Sequence, residues 1–255
     1  MLKSRFITLL SLPILLLSCT NEAYDTGDGA LSYLRAELVE ANTDAAADIV
    51  SITLDDDTRL SLTKKMSPEW AEKADTSYRA LMYYKQRPTA DGVLTAVEPF
   101  AMQRVLTPKI KAAEEVKDDI KTDPVLFNSA WKAANGRFIN FDLGVKTGKI
   151  DDDESGQTIG IICDGVDQRA DGTRLLRLRL CHDQGSVPEY YTSQLFLSIP
   201  VWYLPTEPSA GDEVEICINT YSGEIKKTFV FKKTEVREYR STEVQKFRHR
   251  LCVFN

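Results

Sequence analysis

The sequence predicts an all-β protein: an N-terminal OB-like barrel followed by a C-terminal β-sandwich. Three observations carry that expectation. From Leu31 onward, most of the chain is short runs of alternating apolar and polar residues, rich in β-branched and aromatic types, which is strand periodicity. Turn signals rich in Asp and Gly separate these runs at regular spacing. Between Thr107 and Pro124 the composition shifts to Lys, Glu, Asp and Ala with prolines near both ends, which marks the boundary between two domains.

Ahead of the strands lies an export signal. Lys3 and Arg5 form a short basic region, and Phe6 to Leu17 is apolar except for Thr8, Ser11 and Pro13. A spanning helix needs roughly 18 apolar residues, so this stretch is too short for a permanent anchor. Leu16-Leu17-Ser18-Cys19 resembles a bacterial lipobox, in which the cysteine thiol receives a diacylglycerol. The alternative is an ordinary secretory peptide with Cys19 an accidental thiol. On the lipobox reading, residues 1–18 are removed and 19–30 form a lipidated tether, with Cys19 as the lipidation site. Each buried methylene is worth about 0.8 kcal/mol, so several acyl chains hold such a protein on a membrane in practice permanently. Thr20 stands where an aspartate would mark inner-membrane retention, so the outer membrane is the expected address. Glu22 and Asp25 faintly resemble a surface-export tract.

The OB-like domain is expected over 31–120. Its strands are Leu31 to Val39, Ile49 to Leu54, Arg59 to Leu62, Tyr78 to Lys85 and Val93 to Val105. Asp55 to Thr58 reads as a hairpin turn, and Ser67 to Thr76 as a helical or irregular excursion. A short helix fits the Lys- and Glu-rich stretch that follows. The sandwich is expected over 121–255, with strands Arg137 to Val145, Thr158 to Cys163, Leu175 to His182, Tyr190 to Val201, Glu213 to Asn219 and Lys226 to Phe231. Turns fall at Asp151 to Gly156, Asp167 to Gly172, Asp183 to Pro188 and Tyr221 to Gly223.

Ser32 to Ala36, the Asp55 to Leu62 hairpin, Trp70 and Asp75 to Tyr84 resemble the N-terminal OB domain of NigD-like lipoproteins. Asp123-Pro124-Val125, Trp131, Phe138 to Leu143 and His182-Asp183 resemble that family's C-terminal β-sandwich. The resemblance extends over nearly the whole chain beyond the signal peptide. It implies a two-domain envelope lipoprotein, named after a bacteriocin-associated gene cluster, with no established enzymatic activity and no catalytic residue to transfer.

Composition narrows the function classes. A net charge of −6 argues against general nucleic-acid binding, which needs basic surface to displace phosphate counterions. Cys163, Cys181, Cys217 and Cys252 read as small buried hydrophobes or as disulfide partners whose pairing the sequence leaves open. No CxxC spacing points to a metal, and no cofactor motif appears. Cys181 and His182 are neighbours in a strand, so they face opposite ways and form no direct nucleophile–base pair. His182-Asp183 reads as a turn with a hydrogen-bonded imidazole, and His249 as exposed among arginines. Asp55 to Asp57 and Asp151 to Glu154 read as solvated turns, since neither has the spacing of a calcium loop.

Two features suit binding. Tyr83-Tyr84, Tyr190-Tyr191 and Trp202-Tyr203 each place one ring on either strand face, one for the core and one free to stack. Lys226 to Arg250 holds nine basic residues against three acidic, which is either a contact patch or a solvated edge strand. Tyr84, Tyr191, Trp202, Lys232 and Lys233 are the candidate binding residues. The expected function is a non-enzymatic envelope lipoprotein binding a protein or glycan partner, with an envelope or polymer hydrolase as the alternative. Replacing Cys19 with Ala is expected to leave an unlipidated protein; metabolic labelling with a radioactive fatty acid checks this, and a labelled variant refutes it.

Overall fold

The structure, a computed structural model, describes residues 34–85, 94–116, 120–148 and 156–232. The signal peptide, Cys19 and its tether, the turn at Asp151 to Glu154, Lys233, His249 and Cys252 lie outside the described residues.

Five alternating runs form the first lobe: β1 (Leu34–Thr43), β2 (Ile49–Leu54), β3 (Arg59–Met66), β4 (Ser77–Lys85) and β5 (Ala96–Arg104). They close into a barrel in the order β1-β2-β3-β5-β4, with β3 and β5 parallel at Ser61–Ala96 and Leu62–Val97. Closure pairs every strand on both sides and leaves no edge. Val39, Ala41, Ile52, Leu60, Ala80 and Met82 fill the interior. In the β2–β3 turn, Asp57 has φ 67° and Thr58 N–H donates to Asp56 Oδ1 at 2.9 Å. Aspartate tolerates that left-handed backbone and closes the turn with its own side chain. The excursion after β3 is irregular, and Trp70 packs edge-on against Tyr78 at 5.6 Å.

The second lobe contains β6 (Ile110–Ala112), β7 (Leu126–Lys132), β8 (Phe138–Thr147), β9 (Thr158–Gln168), β10 (Arg174–Asp183), β11 (Tyr191–Pro200), β12 (Glu213–Thr220) and β13 (Gly223–Val230). Sheets ordered β13-β12-β10-β9-β6 and β11-β8-β7 face each other across one core. Phe141, Leu143 and Leu197 from one sheet meet Leu178, Val214 and Ile216 from the other. This is the expected sandwich, with parallel pairs at β10–β12 and β6–β9. Gly223 has φ 108°, the conformation that the tight β12–β13 turn demands and that side chains resist.

Two strands escape the sequence pattern. Ile110–Ala112 lies within the residues expected to close the barrel domain, yet it pairs with β9 in the sandwich. The helix expected in that stretch is a single 3-10 turn, Ala113–Glu115. In β7 the register against β8 shifts between Phe127 and Ser129, so the alternation that marks a strand is broken at its centre.

Both lobes belong to one compact unit that begins at Leu34. The reason lies in β1 and β4, which are buried on both faces over Leu38 to Ala41 and Arg79 to Met82. The faces turned away from the barrel interior meet the sandwich. There Arg79, with 1% of its side chain exposed, makes two hydrogen bonds to Asp55, at 2.6 and 2.8 Å. It also donates to Ser198 Oγ at 3.2 Å and Asn140 Oδ1 at 3.0 Å, and it stacks over Phe138 at 4.0 Å. Beside it, Arg137 donates to Glu40 at 3.0 Å. Asp55→Ala is expected to strand the buried guanidinium and cost about 3–5 kcal/mol, read by urea unfolding. Arg79→Met combined with Asp55→Leu is expected to recover much of that loss; equal loss in both variants refutes the pairing argument.

Candidate functional site

Antiparallel register fixes three rows across β1 and β4: Glu40 opposite Arg79, Leu38 opposite Leu81, and Ala36 opposite Tyr83. Residues two apart share a face, so all three rows look toward the sandwich. On β8 and β11 the matching rows are Asn140–Ser198, Asp142–Phe196 and Gly144–Gln194. The first pair of rows closes through the Arg79 cluster. The second closes by apolar packing of Leu38, Leu81 and Val105 with Tyr83 and Phe196. At the third the lobes part into a cleft of about 590 Å³.

Tyr83, Phe196 and Trp131 supply the aromatic surface of this cleft, and Asp55 and Asp56 its charge, while the Glu37 carboxylate turns to the barrel side and accepts from Tyr84. Among the described residues no lysine or arginine lines it. Trp131 sits on β7 opposite Asn140 and stays 37% exposed. Thr58, through its N–H and its hydroxyl, holds Asp56 below the usual carboxylate range, so that carboxylate is charged at neutral pH. Asp55 is committed to Arg79, whereas Asp56 is exposed at the turn. The arrangement is an open apolar surface with an anionic rim, suited to a ligand that joins an aromatic or aliphatic group to a cation. A second cleft of about 540 Å³ crosses the outer face of the larger sheet. Its charges are matched internally, Arg179 with Asp164 at 2.6 Å and Lys226 with Glu215 at 3.1 Å.

The candidate residues from sequence are scattered. Tyr84 is 1% exposed; it points into the barrel, where its hydroxyl donates to Glu37 at 2.6 Å. Burial first, and the Glu37 carboxylate second, push its phenol far above the usual value. The outward ring of that pair is Tyr83. Trp202 lies in a 3-10 turn, Val201–Tyr203, where strand alternation does not apply. Its ring packs edge-on against Phe138 at 5.2 Å and covers the Arg137 guanidinium, also at 5.2 Å. Tyr190 and Tyr191 are 72% and 60% exposed, so neither ring enters the core as expected. Their position at the start of β11 carries them past its edge. Lys232 is exposed where the described chain stops, and Lys233 lies outside it.

Trp131, Tyr83 and Phe196 were not singled out as binding residues by the pattern. The broken register of β7 hides Trp131 from the strand pattern, and alternation marks Tyr83 and Tyr84 equally without saying which of the two turns outward. Cys181 and His182 face opposite ways: His182 is buried with Nδ1 3.2 Å from the Asp123 carbonyl oxygen, while Cys181 lines a separate surface pocket. A carbonyl only accepts, so that contact places the ring proton on Nδ1. Burial pushes the thiols of Cys163 and Cys181 up, and burial with Glu224 pushes Cys217 up to about 11, so all three are protonated at neutral pH. Among the described residues no group of three or more His, Cys, Asp or Glu is placed to hold a metal.

No protein-family model and no curated protein matches the chain. Solved structures do. A NigD-like immunity protein from Bacteroides caccae aligns at 20% identity and a TM-score of 0.57, over 77% of this chain and 96% of that one. A protein named as toxin-related from Parabacteroides distasonis aligns at 15% and 0.58, over 82% and 98%. A protein named as a lipoprotein from Bacteroides fragilis aligns at 15% and 0.54, over 78% and 98%. The chain has the all-β fold of these proteins, in agreement with the NigD-like resemblance read from its residues.

Burial separates Tyr84 and Trp131 by their expected effects. Tyr84→Ala should cost about 3–5 kcal/mol of stability as a buried ring removed, and Trp131→Ala under about 1 kcal/mol. Chemical denaturation of both variants checks the order, and a larger loss at Trp131 would make that ring structural.

Proposed function

We propose that the protein is a non-enzymatic envelope lipoprotein, anchored to the outer membrane through Cys19, that holds a protein partner in the cleft between barrel and sandwich. One observation carries the reading: Trp131, a large aromatic, stands exposed in an anionic-rimmed cleft whose walls come from both lobes. Exposed aromatics on a fixed scaffold supply contact area at low ordering cost, and such residues dominate binding energies. The fold shared with a protein named for immunity and one named as toxin-related supports a protein as partner. The fold shared with a protein named as a lipoprotein supports the lipid anchor.

The test is affinity capture from detergent-solubilised envelopes, followed by binding measurements on the recovered partner. Trp131→Ala is expected to weaken binding about 30-fold, the effect of a residue worth about 2 kcal/mol. Tyr191→Ala is expected to leave it unchanged. The opposite order moves the contact to the start of β11. Turnover of an envelope polymer that His182→Ala abolishes without unfolding replaces the reading with a hydrolase.

A further inference from the structure

Asp142 on β8 stands directly opposite Phe196 on β11, and Trp131 on β7 stands opposite Asn140, two residues before it. Residues two apart share a strand face, so the carboxylate looks the same way as both rings and sits diagonally between them. Phe196 and Trp131 line the cleft, and Asp142 is joined to it through Gln194, a further lining residue. The carboxylate residue is only partly buried.

The groups that hold this carboxylate are neutral. Asn128, at the β7 bulge, donates to Oδ1 at 3.0 Å, and Gln194 Nε2 donates to Oδ1 and Oδ2, both at 3.0 Å. Two amides fix its position and leave its charge uncompensated. On the larger sheet Asp164, Asp167, Glu213 and Glu215 each hold a cation, whereas among the described residues no Lys or Arg pairs with Asp142. Asp56, from the barrel lobe, is likewise exposed and accepts from the neutral Thr58. Aromatic rings with one such carboxylate from each lobe make a surface complementary to positive charge. An ionised carboxylate accepts at about four positions, and three of those at Asp142 are taken, two on Oδ1 and one on Oδ2. One remains, on Oδ2. That is too little for the paired N–H groups of a guanidinium and enough for one N–H of an ammonium.

We propose that the cleft receives a lysine side chain from an extended segment of its protein partner, the ammonium on Asp142 beside Trp131 and the flanking apolar side chains against Phe196 and Tyr83. This rests on reading the cleft as a binding surface, and it names the chemistry of what binds there: one lysine with apolar residues two positions to either side, which share its face in an extended chain. Asp56 adds attraction from the opposite lobe. The charges are exposed, so salt weakens the contact.

The test titrates the isotopically labelled full chain with the end-blocked peptide Leu-Gly-Lys-Gly-Leu, and with counterparts carrying Arg, Gln or Glu at the centre. The three tryptophans give three indole N–H signals in a nuclear magnetic resonance spectrum, and Trp131→Phe identifies the one that matters. The lysine peptide is expected to shift the Trp131 signal saturably and leave the other two in place, the arginine peptide to bind more weakly, and the Gln and Glu peptides to leave all three unmoved. Asp142→Asn and Asp56→Asn are each expected to weaken the lysine peptide about fivefold, the upper range for an exposed ion pair, and about 0.5 M salt to do the same. Both variants keep an oxygen acceptor for the amide or N–H that now bonds to the carboxylate, and unmoved Trp70 and Trp202 signals show that the fold is intact. Equal response to the lysine and glutamine peptides, tighter binding of the arginine peptide, or indifference to Asp142→Asn overturns the proposal. If no peptide moves the Trp131 signal, this proposal fails, while the capture reading still stands or falls on Trp131→Ala against the recovered partner. If the lysine peptide binds as described but Trp131→Ala leaves that partner's affinity intact, the capture reading fails and this one stands.

Discussion

Arg79 leaves β4 and ends between the lobes, where a charged group without partners would be costly. Every partner it has is directional. Asp55 comes from the β2–β3 turn, Asn140 from β8 and Ser198 from β11, and Ser198 and Asn140 are themselves bonded at 2.7 Å. Asn140 Nδ2 completes the ring by donating to Asp55 at 3.2 Å. Apolar packing of Leu38 and Leu81 on Phe196 would tolerate sliding, since dispersion has little angular preference. A bidentate guanidinium tolerates far less. The cluster therefore sets the angle between barrel and sandwich, and with it the place where the third row of residues fails to meet.

The cleft inherits its character from that row. Its walls are strands whose side-chain directions are dictated by register, so Tyr83, Phe196 and Trp131 are presented without a loop having to order first. Its charge comes from a turn, Asp55 to Asp57, whose members do different work. Asp55 neutralises Arg79, Asp57 accepts from Asn135 at 3.0 Å, and Asp56 remains at the surface. A run read from sequence as a solvated turn is thus two parts junction and one part rim.

Strands with clean alternation were legible in the sequence, and most turns with them. β2 matches residue for residue, and β4, β10 and β12 agree to within one residue at each end. What eluded the sequence depends on partners far away. β6 has only three residues and exists because β9 lies beside it. β7 carries a bulge that disrupts its own period. The choice between Tyr83 and Tyr84 turns on which face of β4 looks into the barrel, and alternation gives two faces without naming them. Trp202 departs from strand alternation because the chain bends into a 3-10 turn after Pro200. The cleft itself could not be read, since it is the gap left by two lobes docking and no single segment encodes it.

The residues bonded to Arg79 are spread along the chain, Ser198 lying 119 positions later. A barrel that folds as soon as its own strands are available exposes Glu40 and Arg79 as a cross-strand pair facing water. Only when β8 and β11 arrive does that pair become interior, each member taking a new partner. The junction waits on contacts of long sequence separation, whose loop-closure entropy makes them slow to form. The junction thus acts as a check on completeness, since neither lobe alone supplies the partners that its own buried charge requires.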